Sequence, residues 1–236
     1  MRRSPRASNR MGVTPLQSVC IVCQERGSHS PVFLGSCFAF RSNRHFLAAA
    51  HCVTTNSVEQ YVVYTPWEGV YTPVSQVIKH PEADIAILKL ASDGRDSVEP
   101  LRGLRGVAGI GGDYYAYGYP EDSIGPHVGI PTARLFKGYC QRALKHESHM
   151  GYRYPAMELS FPCPGGLSGG PLFGLQFPTL PVGLVTENIE AATLLHSHET
   201  LLKDGQPFTE HLQRVISYGV GLLLQPYQDW IDARLT

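Results

Sequence analysis

The serine of PGGLSGGPL, Ser168, stands among four glycines in the stretch Pro164 to Leu172. Glycine this dense serves a backbone that must enter conformations closed to other residues, or must come within touching distance of another group. A tight turn alone would account for that. A hydroxyl at its centre matters only beside a base, because free serine is a weak nucleophile. Among ten histidines, His51 closes the run HFLAAAH, which narrows to three alanines before presenting an imidazole, so other groups can crowd close. Downstream, in EADIAILKL, Asp84 heads an alternating apolar strand, where a buried carboxylate needs a partner. His51, Asp84 and Ser168 thus offer the base, orienting acid and nucleophile of acyl transfer. Singly, each has a plainer reading as a structural histidine, a turn aspartate and a glycine turn. The remaining histidines, His29, His45, His80, His127, His146, His149, His196, His198 and His211, are expected on the surface or in loops, without catalytic roles.

The elements that must position these groups read as β structure. Short runs rich in Val, Ile, Tyr and Phe recur between Gly, Pro and polar breaks: SVCIVC, PVFLGSCFAF, QYVVYTP, VSQVIKH, DIAILKL, YYAYGYP, YPAMELSFP, PVGLVTEN and RVISYGVGLLL. Their spacing predicts an all-β sandwich or barrel architecture. Glycine-rich EPLRGLRGVAGIGGD, from Glu99 to Asp113, is the expected connection between two β halves. PYQDWIDARL near the C-terminus has helical spacing behind a proline. The stretch from Glu187 to Arg214 is long for a loop, and is expected to carry a helical turn or two and to cover something.

The 236 residues, 43% hydrophobic and 17% charged, suffice for one substantial domain or two small packed halves. Twenty basic and twenty acidic residues cancel, so no global field favours nucleic acid or an anionic membrane as partner. MRRSPRASNR lacks the apolar run of a secretory signal and is read within a flexible basic tail, residues 1–13. No window approaches a membrane-spanning helix. The expected location is therefore cytoplasmic, with the six cysteines reduced. Cys20 and Cys23 form a CxxC in a strand, where residues three apart face oppositely, and no second CxxC completes a metal site. No metal or other cofactor is expected.

In these residues the chain resembles the chymotrypsin-fold serine proteases of the trypsin and HtrA type, closest in motif style to bacterial peptidase domains without a PDZ module. LAAAHC resembles the family's histidine motif, ADIAILKL its aspartate motif and PGGLSGGPL its serine motif, in the family's order. PVGLVTEN resembles the strand lining the primary pocket, and YGVGLLLQPYQDWIDARL the last strand and C-terminal helix. The resemblance implies two six-stranded antiparallel β-barrels packed together, with a short C-terminal helix. The protease domain would span 14–236, its N-terminal barrel about 14–105, its C-terminal barrel about 112–224 and the helix about 226–236. It also implies an oxyanion hole made by the backbone N–H groups of Gly166 and Ser168.

Two departures from the pattern carry expectations. Where trypsin-like zymogens place the aspartate that pairs with a new N-terminus, this chain has Leu167, so activation of that kind is not expected. By the family's count, Pro162 and Gly219 fall at the pocket floor, and Thr186, Glu187 and Asn188 form its walls. With no charge at the floor, a small or apolar residue before the cut is expected, although Glu187 could meet a basic one if it turns inward. Cys37 with Cys52 and Cys140 with Cys163 are the conceivable disulfide pairs; free thiols are expected. The function implied is a serine endopeptidase acting on a protein or peptide substrate, by limited proteolysis of a single intracellular partner. The alternatives are a catalytically quiet binding module of the same fold, or an esterase using the same triad. The oligomeric state is left open.

Overall fold

A computed structural model describes residues 15–27, 29–54, 60–92, 94–106, 109–124, 130–177, 179–202 and 206–235. The basic tail and His127 lie outside the described residues. Among the described residues, twelve strands form two closed six-stranded barrels. The first runs β1 (Val19–Arg26), β2 (His29–Ala39), β3 (His45–Ala48), β4 (Tyr61–Thr65), β5 (Val70–Lys79) and β6 (Ala86–Leu90), closed by antiparallel pairing of β1 with β4. The second runs β7 (Asp113–Gly118), β8 (Arg134–Glu147), β9 (Arg153–Leu159), β10 (Pro171–Gly174), β11 (Pro181–Leu201) and β12 (Pro207–Leu223), closed between β7 and β10. The two-barrel expectation holds, and the stretch between β6 and β7 carries no regular strand among its described residues.

Apolar side chains explain why the barrels form. Phe38, Phe40, Phe46, Leu47, Ile85, Ile87 and Leu88 are fully buried in the first, with Tyr114, Leu159, Leu172 and Val185 in the second. β1 is buried without alternation from Val19 to Cys23, as a strand covered on both faces must be. Both cysteines of the CxxC are therefore inside, although the sequence places them on opposite faces. All six cysteines are buried free thiols. Burial pushes the Cys20 and Cys23 thiols up to about 12, so they remain protonated and behave as apolar packing.

One element follows the sequence reading and one departs from it. The C-terminal segment is a 3₁₀ turn, Gln225–Tyr227, followed by a five-residue helix α1, Gln228–Asp232. It returns to the first barrel, where Ile231 is buried, Asp232 meets Arg41 at 2.7 Å, and Tyr227 and Trp230 pack edge-on against His80. The described residues of the stretch 187–214 are not helical: they belong to β11 and β12, which continue beyond the barrel as a two-stranded ribbon. An isolated helical turn or two is marginal in water. Pairing that extends from Glu187↔Val220 to Leu201↔Pro207 satisfies the backbone instead. Nor does the ribbon cover anything, since every described residue from Glu190 to Gln213 is exposed.

Candidate active site

The three alanines before His51 have a steric role. Ala48, Ala49 and Ala50 are fully buried, and a 3₁₀ turn, Ala50–Cys52, carries the His51 side chain out of β3 to partial exposure. Opposite, the serine loop approaches so closely that a Cβ on Gly169 would stand 2.1 Å from the Ser36 carbonyl oxygen and 3.0 Å from the Ala49 nitrogen. Bulk on either side would part the barrels at this seam.

Asp84 is 1% exposed and holds His51 twice. Its Oδ1 accepts the His51 backbone N–H at 2.9 Å, and its Oδ2 lies 2.6 Å from Nδ1. Burial disfavours the charged imidazole, but the hydrogen bond to Asp84, aided by one to Cys52, outweighs it and raises the His51 pKa above the usual histidine value. With Nδ1 donating to the carboxylate, Nε2 is left as the basic nitrogen.

Ser168 enters the same seam. Its carbonyl accepts the Ser36 N–H at 2.8 Å and lies 4.0 Å from the Cys52 sulfur, adjacent in sequence to His51. Its hydroxyl donates to the Thr186 carbonyl at 3.0 Å. Gly166 has φ +88°, and a Cβ there would stand 2.5 Å from Phe33, 2.6 Å from the Tyr119 carbonyl and 2.8 Å from the Glu121 nitrogen. Only glycine fits this backbone. Among the described residues, neither the Gly166 nor the Ser168 N–H donates a hydrogen bond, whereas those of Leu167, Gly169 and Gly170 all do. Two amides left unpaired in one turn can stabilise an oxyanion.

Ser36 is a positioning residue that no sequence motif flagged. Fully buried on β2, its hydroxyl donates to the Gly166 carbonyl at 2.9 Å and accepts the Tyr119 N–H at 2.8 Å. A first-barrel strand thus pins the serine loop of the second. Leu167, fully buried, packs in the second-barrel core and fixes the loop from the other side without an ion pair. A lone small polar residue inside an apolar run is the one signal by which Ser36 could have been found.

The residues placed at the pocket by count have separate fates. Thr186 is buried, its hydroxyl donating to the Val220 carbonyl. Pro162 is exposed, whereas neighbouring Cys163 is buried and crowds Gly219, where an added Cβ would stand 2.3 Å from its sulfur. Asn188 Oδ1 accepts the Cys163 N–H at 3.0 Å, tying one side of this region to the other. Glu187 does not stand free: it accepts from His146 Nε2 at 2.8 Å and His149 Nδ1 at 3.0 Å. Burial works to raise its carboxyl, but those two hydrogen bonds outweigh it and hold the pKa below the usual range. His146, like His45, is thereby an inward-facing group rather than the surface residue expected. No cluster of three or more His, Cys, Asp or Glu suited to a metal occurs among the described residues, and no helix of theirs is long and apolar enough to cross a membrane.

Two closed barrels with these groups at their seam define the chymotrypsin-like fold. The chain belongs to the trypsin-like peptidase family, whose domain matches residues 35–176. It is similar in structure to the MamO protease domain from Magnetospirillum magneticum, with TM-score 0.63 and 17% identity over 92% of this chain and 97% of that one. It is also similar to the active form of the Rv3671c protease from M. tuberculosis, with TM-score 0.62 and 17% identity over 97% and 90% of the two chains. A third likeness is to the HtrA-type protease AlgW with a decapeptide, with TM-score 0.62 and 14% identity over 93% of this chain and 65% of AlgW. No curated protein sequence matches the chain.

Proposed function

We propose that the protein is a serine endopeptidase in which His51, Asp84 and Ser168 act as base, orienting acid and nucleophile. The observation that carries this reading is the double grip of Asp84 on His51, through backbone N–H and Nδ1, which leaves Nε2 as the nitrogen for proton transfer. The Ser168 hydroxyl rests on the Thr186 carbonyl and turns from it to give its proton to His51 as Oγ attacks the scissile carbonyl. The Gly166 and Ser168 amides receive the oxyanion, His51 returns the proton to the leaving amine, and water releases the acyl group by the same steps in reverse.

The residue preferred before the cut is small or apolar. Cys163 and Gly219 leave little depth, and Glu187, already bonded to two histidines, does not offer a counter-ion to lysine or arginine. Reaction of the intact protein with a fluorophosphonate probe, lost in Ser168→Ala, tests the nucleophile; absence of labelling in the intact protein counts for the quiet binding module. A peptide-library profile dominated by Arg or Lys would overturn the preference. The substrate is a protein, and the narrower reading is one partner cut at one loop. Sequencing new protein N-termini after expression of active and Ser168→Ala forms separates one dominant cleavage from general digestion.

A further inference from the structure

In the barrel, β11 pairs with β10 only through Leu184, and then through Val185 with Gly169 and Gly170 of the serine loop. Beyond Val185 that side of β11 has no strand partner among the described residues. The open edge starts at the Thr186 carbonyl, where the Ser168 hydroxyl rests, and continues along the ribbon to Leu201. At the usual rise per residue this is roughly 50 Å of strand edge. From Glu190 outward, β11 pairs with β12 alone, and both strands expose apolar side chains, among them Leu194, Leu201, Phe208, Leu212 and Val215. Two strands unsupported in water are marginal, and an open edge is a template for a third.

We infer that the ribbon from Glu190 to Leu201 lengthens the substrate site, adding the polypeptide well N-terminal to the scissile bond as a third strand beside β11. The inference rests on the reading of Ser168 as the nucleophile and deepens it. Continuity with the site decides the occupant, because the edge begins at the nucleophile. Direction decides which part of the substrate binds. β11 runs away from Ser168, so an antiparallel partner runs from the ribbon tip towards it and arrives with its C-terminal end at the hydroxyl. The substrate class is accordingly an unfolded or loop segment of about a dozen residues before the cut, free of proline and alternating apolar side chains to meet those of the ribbon. Glu190, Glu199 and Glu210 outnumber one guanidinium, Arg214, among the described ribbon residues, so the segment is neutral or basic rather than acidic.

Two measurements separate this inference from the reading beneath it. In the first, Ser168→Ala protein is mixed with reduced, carboxymethylated ribonuclease, a permanently unfolded chain, and amide exchange is followed. Slowing of about tenfold or more in residues 189–201, without slowing on β12, is expected. No slowing, slowing on β12 alone, or slowing that appears without the unfolded chain as protein concentration rises overturns the inference, the last assigning the edge to a second copy. This readout needs no catalysis. In the second, residues 192–215 are replaced by Asn-Gly, which keeps the Ala191↔Ile216 pair and closes the hairpin with a favourable turn. The shortened enzyme is expected to lose about tenfold or more in kcat/KM on the unfolded chain while fluorophosphonate labelling and p-nitrophenyl acetate hydrolysis stay unchanged. Equal rates on the unfolded chain refute the ribbon's role and leave the nucleophile standing; failure of labelling in the intact enzyme refutes the nucleophile, with the exchange result still deciding the edge.

Discussion

Asp84→Asn is the most discriminating substitution, because the structure dictates how the new amide must sit. The His51 backbone N–H, 2.9 Å from Oδ1, requires an acceptor, so the asparagine oxygen takes that place and its NH₂ faces Nδ1 across the former 2.6 Å contact. Two donors then oppose each other unless His51 moves its proton to Nε2. That tautomer has no lone pair for the Ser168 proton. In triads of this kind the loss is about 10⁴ in rate, equivalent to about 5.5 kcal/mol of transition-state stabilisation. If Asp84 only braced the loop, the change would instead cost about 1.5–3 kcal/mol of stability, the range for a hydrogen bond to a charged group, with the folded enzyme fully active. The second-order rate of fluorophosphonate labelling, corrected for the folded fraction from a thermal melt, distinguishes the two. A folded Asp84→Asn protein labelling within tenfold of the parent refutes the orienting role.

Three further outcomes follow from the geometry. Gly166→Ala must place a Cβ within 2.8 Å of three groups at φ +88°, so the loop shifts, the amide donor is lost and turnover falls about 10²–10³, read by ester hydrolysis; near-parental turnover would contradict the oxyanion role. Ser36→Ala leaves the Gly166 carbonyl and Tyr119 N–H unpaired in a buried seam, lowering stability by about 1–3 kcal/mol in a denaturant melt, and lowering labelling as well, whereas Ser36→Thr restores part of both. Because the folded His51 pKa is raised, labelling climbs with pH to a half-maximum above the usual 6.5, while the stability contributed by the imidazolium–Asp84 pair is full below 6.5 and is lost as pH rises through the folded value. A half-maximum at or below 6.5 in the pH–rate profile would contradict the Asp84 and Cys52 hydrogen bonds as outweighing burial.

Much of the β framework was legible because apolar runs bounded by Gly and Pro have few other readings. β8 was not: RLFKGYCQRALKHE buries little beyond Cys140, so no alternating face marks it. The ribbon misled for a related reason. EAATLLHSHETLL shows no strand alternation, and its β conformation depends on β12, whose pairing residues lie as far as 27 positions away, as between Glu190 and Ser217.

By itself the sequence determined which groups could do acyl-transfer chemistry and that two β halves carry them, because residue type, glycine density and strand periodicity are local properties of the chain. Only the tertiary structure decided that Ser36 clamps the serine loop across 130 positions, that Cys163 crowds Gly219, that Glu187 is held by two histidines, and that β11 leaves an open edge beginning at Ser168. Those are contacts between distant segments, set by how barrels close and pack, and no local pattern of residues records them.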